Sequence, residues 1–162
     1  MLKKEDREHQ KFMRMAISLS KKNVENYKGG PFGAVIVKEG RVIAKSANKV
    51  TTTNDPTAHA EISTIRQACK KLNTFDLTGC VIYTSCEPCP MCLGAIYWSH
   101  LDIIYYANTK SDAAEIGFDD QFIYDEIDMP MEDRKLPVVQ ILRNEAQEAF
   151  KLWDVSPMKI SY

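Results

Sequence analysis

No stretch of this chain approaches the roughly 20 consecutive apolar residues that would span a bilayer. Its first 28 residues are charged and contain no apolar core of a secretory leader. Both absences predict a cytosolic protein with no membrane partner. A basic surplus is lacking as well, the formal net charge being −1. That argues against long nucleic-acid partners, which demand a basic face. No repeat, low-complexity tract or linker interrupts the chain, so one domain is expected over residues 1–162. The cysteines do not suggest a paired framework: there are five, and three of them are clustered. Metal binding is expected in place of disulfides. What remains is ordinary for a soluble domain with a real core, at 44% hydrophobic and 27% charged residues.

The clustered cysteines lie in Thr84-Ser85-Cys86-Glu87-Pro88-Cys89-Pro90-Met91-Cys92, and His59-Ala60-Glu61 lies upstream. H-x-E followed by P-C-x-x-C is the pattern of zinc-dependent deaminases of nucleobases or nucleosides. In that pattern His59, Cys89 and Cys92 hold one zinc ion per subunit, and Glu61 carries the proton. Three protein ligands leave a fourth position open for water, as catalytic zinc requires. Water is a weak nucleophile at neutral pH, and zinc brings the pKa of a water it holds to about 7. A carboxylate then moves the proton to the ring and to the leaving amine.

Spacing constrains how these residues meet. Cys89 and Cys92 are three apart, so on a helix both can reach one ion. At a helix start, the dipole and free N–H groups favour thiolate. His59 and Glu61 are two apart, which inside a helix would send them to opposite sides. They can serve one site only if the metal lies over a helix end, so two helix N-termini are expected to face each other. The bland alternative is a closed structural site made by His59, Cys86, Cys89 and Cys92. It leaves Glu61 and the separating Pro88 without a role, so Cys86 reads as a loop neighbour. Cys69 and Cys80 read as core residues, His9 as solvated, His100 as a cap or surface residue, and Met91, Met129 and Met131 as packing.

The fold class expected is α/β: a three-layer sandwich with a central five-stranded mixed sheet and helices on both faces. An amphipathic helix over 5–26 carries Phe12, Met15, Ala16 and Leu19 on one face. Gly29-Gly30-Pro31 ends it. A hairpin follows, with strands at 33–38 and 41–48 about a Glu39-Gly40 turn. Residues 51–55 read as a loop, and Asp55-Pro56 as the entry to a helix running from about 58 to 72. A strand at 80–84, a helix at 90–99 and a strand at 102–107 make a βαβ unit, so those strands are parallel. Residues 108–135 read as a long polar connection with one short helix near 122–127. A fifth strand at 138–142, a helix capped by Asn144 to about 153 and a tail at 154–162 complete the chain.

Several stretches resemble the cytidine deaminase superfamily, and within it the bacterial guanine deaminases. They are Gly30-Pro31-Phe32-Gly33-Ala34, Asn48, Asn54 through Glu61, Thr84 through Cys92, Ala113 through Asp120, and the C-terminal Tyr162. The zinc motifs are shared across the superfamily; the Gly117-Phe118-Asp119-Asp120 stretch and the tail are what resemble the guanine branch. The resemblance implies hydrolysis of guanine at C2 to xanthine and ammonia. It also implies a homodimer whose C-terminal segment crosses to close the partner's site, against the alternative of an ordinary docked tail. Substrate roles follow from it. Asn48 can donate to and accept from a purine edge. Phe32 packs on the base, or else in the core, and Trp98 lines the pocket, or else the helix core. Asp120 or Asp119 accepts from guanine N–H groups, or else is a solvated acidic loop, and Tyr162 closes the pocket. Ala58 and the backbone of 85–87 also touch substrate in the family pattern. Residues 111–133 hold nine acidic residues and no Lys or Arg. That suits a small neutral substrate bearing amino groups and disfavours a tRNA adenosine substrate. Guanosine and cytosine remain as rivals, and a non-catalytic zinc-stabilised binding domain is the alternative of another class.

Overall fold

The computed structural model describes residues 4–162 of the chain. These fall into two compact units, Met1–Asp120 and Gln121–Tyr162.

The first unit is built on a sheet of strand order β2-β1-β3-β4, comprising β1 (Gly33–Lys38), β2 (Arg41–Ala47), β3 (Cys80–Cys86) and β4 (Ile103–Asn108). β1 pairs antiparallel with both β2 and β3, and β3 pairs parallel with β4. The expected hairpin and βαβ unit are therefore present. Glu39 and Gly40 both take positive φ, of 50° and 72°, in the hairpin turn, which matches the twist of the two strands.

Alternation along β1 explains the layers. Ala34 and Ile36 share a buried cluster with Ile82 of β3 and with Ala60, Ile65 and Ala68 of α3 (Ala60–Leu72). Ile96 of α4 (Pro90–Trp98) completes that face. Val35, Val37 and Tyr83 point the other way, onto Phe12 and Ala16 of α1 (Lys4–Glu25). A strand covered on both faces reads as an unbroken apolar run, as Ala34-Val35-Ile36-Val37 does. Helices lie on both faces, as expected.

Several local expectations need correction. Residues 51–55 are not all loop: Val50–Thr53 form a helical turn, α2, closed by Asn54 at φ 50°. Asp55-Pro56 does not open α3. The Asp55 carboxylate instead accepts from the Thr57 N–H at 2.8 Å and the Thr57 hydroxyl at 2.7 Å. This Asx turn delays α3 until Ala60. The residue that turns out of α1 is Tyr27 at φ 56°, not a glycine, and the Lys28 N–H reaches back to the Asn23 carbonyl at 2.9 Å. Residues 108–120 are not structureless, because α5 (Lys110–Glu115) starts directly after β4. His9 is not simply solvated. The Tyr83 hydroxyl lies 2.7 Å from its Nδ1, and the Tyr105 ring stacks on Tyr83 at 4.9 Å. Burial pushes the Tyr83 phenol up to about 12.

The second unit contains α6 (Gln121–Asp128), a 3₁₀ turn (Met131–Asp133) and α7 (Arg143–Asp154). Arg134 ties the turn to α6 through the Ile127 and Met129 carbonyls. The expected strand at 138–142 does not form, so the sheet has four strands among the described residues, not five. An apolar β-branched run signals burial, but a strand also needs an edge to pair with. Asn144 is not the cap of α7; Leu142 is, at φ 52°.

The tightest packing in the first unit is where α1 crosses the start of β1. A Cβ on Gly33 would stand 2.4 Å from the Ala16 carbonyl oxygen and 2.8 Å from Leu19 Cβ and Ser20 N. Backbone cannot yield there as a flexible side chain would. Gly33→Ala is expected to destabilise the protein by about 1–3 kcal/mol or more, read as a lowered urea midpoint; an unchanged midpoint would contradict this packing.

Candidate active site

Two helix starts meet at the site. His59 is the N-cap of α3, at φ −60° and ψ 161°. Cys89 is the N-cap of α4, at φ −65° and ψ 168°, with Pro90 opening the helix. Neither side chain makes the usual N-cap hydrogen bond, and both aim across the gap toward each other. That resolves the two-residue spacing of His59 and Glu61. One sits before the helix and the other in its first turn, so helical phase does not separate them.

His59 Nδ1 lies 3.6 Å from Cys89 Sγ and 3.5 Å from Cys92 Sγ. One ligand atom from each of the three residues falls within 4.8 Å of the other two. Tetrahedral ligands at zinc distances stand roughly 3.3–3.8 Å apart, so the set fits such an ion. Two sulfurs and one imidazole nitrogen also suit zinc chemically. The Cys92 thiol first, and then His59, hold Cys89 down at about 4, so it is a thiolate at neutral pH. Cys92 itself is pushed up by that neighbouring thiolate and by burial. Cys86 stands outside the donor set. Its Sγ points to the Thr109 carbonyl at 3.6 Å, and burial raises its thiol to about 11.

Glu61 is 5% exposed, in the first turn of α3. Its Oε2 faces Cys92 Sγ at 3.4 Å, and its Oε1 accepts from the Thr84 hydroxyl at 2.9 Å. Burial raises its pKa, and the bond from Thr84 works against that rise. A buried carboxylate beside an open metal position can both take and return a proton.

The walls are held by the residues just before Cys89. Ser85 Oγ accepts from the Gly33 N–H at 3.0 Å, fixing the segment that carries Phe32. Glu87 accepts from the Lys110 N–H at 3.0 Å, and its own N–H donates to the Asn108 carbonyl at 2.8 Å. α5 is further closed by a capping box between Thr109 and Asp112. The chain then returns so that the Phe118 ring meets Phe32 edge-on, with centroids 4.9 Å apart. Asp120 follows, half-buried; burial first, and then the Cys89 charge, lift its carboxyl above the usual range. Its neighbour Asp119 is exposed.

Asn48 is buried, and its backbone N–H donates to the Phe32 carbonyl at 3.0 Å. Asn23 Nδ2 holds the Asn48 carbonyl at 3.0 Å and the Gly30 carbonyl at 2.9 Å. Asn48 Oδ1 accepts from the Val50 N–H at 3.2 Å, which orients the amide and turns Nδ2 the other way. Trp98 stands six residues beyond Cys92, roughly 9 Å further along the helix axis, and is 65% exposed. The structure does not bring it to the donor set. Tyr162 belongs to the second unit and is 70% exposed. His100 closes α4 at φ 56° and pairs with Asp76 at 3.6 Å, as a capping surface residue does.

Two contributors escaped the sequence: Thr84 and Phe118. Thr84 carried a usable signal, a polar residue in a strand of buried apolar neighbours, which demands a partner. Phe118 lies in the Gly117–Asp120 stretch already singled out, but nothing local announces its contact with Phe32, which depends on the path of the loop.

An α/β sheet presenting this donor set beside a buried glutamate is the arrangement of zinc-dependent deaminases. The family described as the cytidine and deoxycytidylate deaminase zinc-binding region matches residues 6–108, and the chain belongs to it. Guanine deaminase from Bacillus subtilis is 54% identical over 145 residues, covering 90% of this chain and 93% of that protein. Its solved structure superposes with a TM-score of 0.92 at 52% identity, over 95% of this chain and 98% of that one. A tRNA-specific adenosine deaminase from Aquifex aeolicus is 43% identical over 97 residues, 59% of this chain and 63% of its own length. A solved structure described as a complex with 2,6-diaminopurine is 36% identical at a TM-score of 0.64, covering 67% of this chain and 61% of that one.

The metal-free site makes a direct expectation. Cys89 is depressed, so its thiolate is present at neutral pH and is lost only as pH falls through about 4. Ultraviolet thiolate absorbance of metal-free protein should show that midpoint, and Cys89→Ser should remove it. A midpoint near the free-thiol value of about 8.5 would contradict the geometry.

Proposed function

We propose that this protein is a zinc-dependent guanine deaminase, converting guanine and water to xanthine and ammonia. One observation carries the choice of base. Likeness to the Bacillus subtilis enzyme runs over 145 residues, well past the region at 6–108 that the family shares. Likeness to the tRNA enzyme covers 97 residues. The third of the chain beyond residue 108 is where the acidic loop and the tail lie.

His59, Cys89 and Cys92 are the metal ligands in this reading. Zinc supplies the Lewis acidity that brings the pKa of a water it holds to about 7. Glu61 takes one water proton on Oε2 and delivers it to a ring nitrogen, then passes the second, from the hydroxyl added at C2, to the amine that leaves as ammonia. Its Oε1 stays on Thr84, so the carboxylate keeps its aim. Asn48 offers Nδ2 to the purine edge, because Val50 already occupies its oxygen. Phe32, steadied by Phe118, covers one face of the base. Asp120, with Asp119 beside it, accepts from guanine N–H groups; a half-buried carboxylate in a segment without Lys or Arg is suited to that. Trp98, on α4, lines the pocket.

The protein acts as a cytoplasmic homodimer, each subunit one deaminase domain over 1–162, with the tail at 154–162 reaching the partner. Four facts support this. All five cysteines are free. No helix among the described residues is long and apolar enough to cross a membrane. No residue of 121–162 is buried, and Phe122, Val139, Ile141, Phe150 and Leu152 are exposed, a surface that apolar contact would cover. Among the described residues β4 also ends the sheet with an unpaired edge, which a strand from a second copy could meet. Tyr162 of the partner subunit then closes the pocket.

Glu61→Gln should retain one zinc per chain while ammonia release from guanine falls at least about a hundredfold; His59→Ala should lose zinc. Undiminished turnover in the first, or stoichiometric zinc in the second, would refute these assignments. A panel of guanine, guanosine, cytosine, adenine and a tRNA anticodon stem tests the substrate. Light scattering should give twice the 18.4 kDa chain mass. Deleting 154–162 should impair guanine turnover more than thermal stability, and a fully active truncated enzyme would remove the tail from the site.

A further inference from the structure

Four consecutive residues, Thr84-Ser85-Cys86-Glu87, precede the metal pair, and each contacts a different part of the site. Thr84 bonds the Glu61 carboxylate of α3 at 2.9 Å. Ser85 accepts the Gly33 N–H at 3.0 Å, one residue from Phe32. Cys86 points its sulfur to Thr109 at 3.6 Å, and Glu87 accepts the Lys110 N–H at 3.0 Å. The proton carrier, the aromatic wall and the acidic loop are thus all tethered to one short segment.

We propose that Thr84 and Glu87 are positioning residues with separable effects: Thr84 governs kcat through Glu61, and Glu87 governs KM through α5 and the Phe118–Asp120 segment. This rests on the guanine deaminase reading above.

Thr84 is 1% exposed. Its hydroxyl has one proton and two oxygens in reach, Glu61 Oε1 at 2.9 Å and the Cys86 carbonyl at 2.8 Å. Held from the sheet side, Glu61 keeps Oε2 toward Cys92 and the metal position. Without the hydroxyl the carboxylate loses the partner that holds Oε1 from the sheet side. Ground-state binding of the base does not use that bond, so the loss falls on the chemical step.

Glu87 touches neither Glu61 nor the donor atoms in any described contact. It joins the cysteine loop to the first backbone N–H of α5. From there the chain runs through Phe118, against Phe32, to Asp120. Loosening that joint moves groups that bind the base, and the proton carrier stays in place. An effect on binding with the chemical step preserved is the signature of such a residue.

The experiment uses full-length zinc-loaded protein, with zinc content measured on every variant. The unmodified chain is assayed first; failure to deaminate guanine there would refute the substrate reading alone. Thr84→Val should lower kcat about tenfold, with KM within about twofold and zinc at one per chain. Thr84→Ser, which keeps the hydroxyl, should restore most of kcat. Glu87→Ala should raise KM for guanine about tenfold, with kcat within about threefold and zinc unchanged. Glu87→Gln, still an acceptor, should restore KM. Equal effects of Thr84→Val and Glu87→Ala on kcat and KM would overturn the division of roles. So would zinc loss in either, or failure of the conservative variants to rescue.

Discussion

The structure depends on two helices beginning at the same point in space. α3 starts after His59 and α4 after Cys89, and each cap residue turns its side chain toward the other helix's start. A helix start carries partial positive charge and free N–H groups. Two of them converging favour a thiolate and a buried carboxylate that would otherwise be costly. Cys89 is a thiolate because of its partners, and Glu61 survives burial because Thr84 and Cys92 bond it. The sheet exists, in functional terms, to hold those two starts at a fixed separation.

Much of this was legible in the residues. β1 stood out as an apolar run bounded by glycine and a turn, and α1 by the spacing of Phe12, Met15, Ala16 and Leu19. The H-x-E and P-C-x-x-C spacings located the donor set and demanded a helix end, which the N-cap positions supply. Other features were not legible because they depend on contacts distant in sequence. The apolar run at 138–142 could not declare whether an edge was available to it. Tyr27 occupies a left-handed position that local rules assign to glycine. His9 looked solvated because nothing nearby in the chain announces Tyr83 or Tyr105.

Substrate choice is recorded less locally than chemistry. The zinc and proton machinery sits in two short motifs that the whole family uses. In the reading proposed above, the walls around the base come from Asn48, the Phe32 turn and the stretch after α5, three separated places. The stretch after α5 is the more exposed of these: Asp119 is exposed, whereas Asn48, Glu61 and Cys92 are buried. A family can therefore keep one reaction and change its substrate by altering surface segments, which is consistent with tRNA and free-base enzymes matching the same core.

The contiguity of Thr84 through Glu87 has a consequence for how this protein can change. Four tethers and the metal pair follow one another on a single ruler, alternating with the pleat of β3 and ending at the α4 cap. Replacing one residue disturbs one tether. Adding or removing one would reverse the facing of every residue beyond it and displace Cys89 from its cap. Between positions 84 and 92 this lineage is open to exchange of side chains and closed to any change of length.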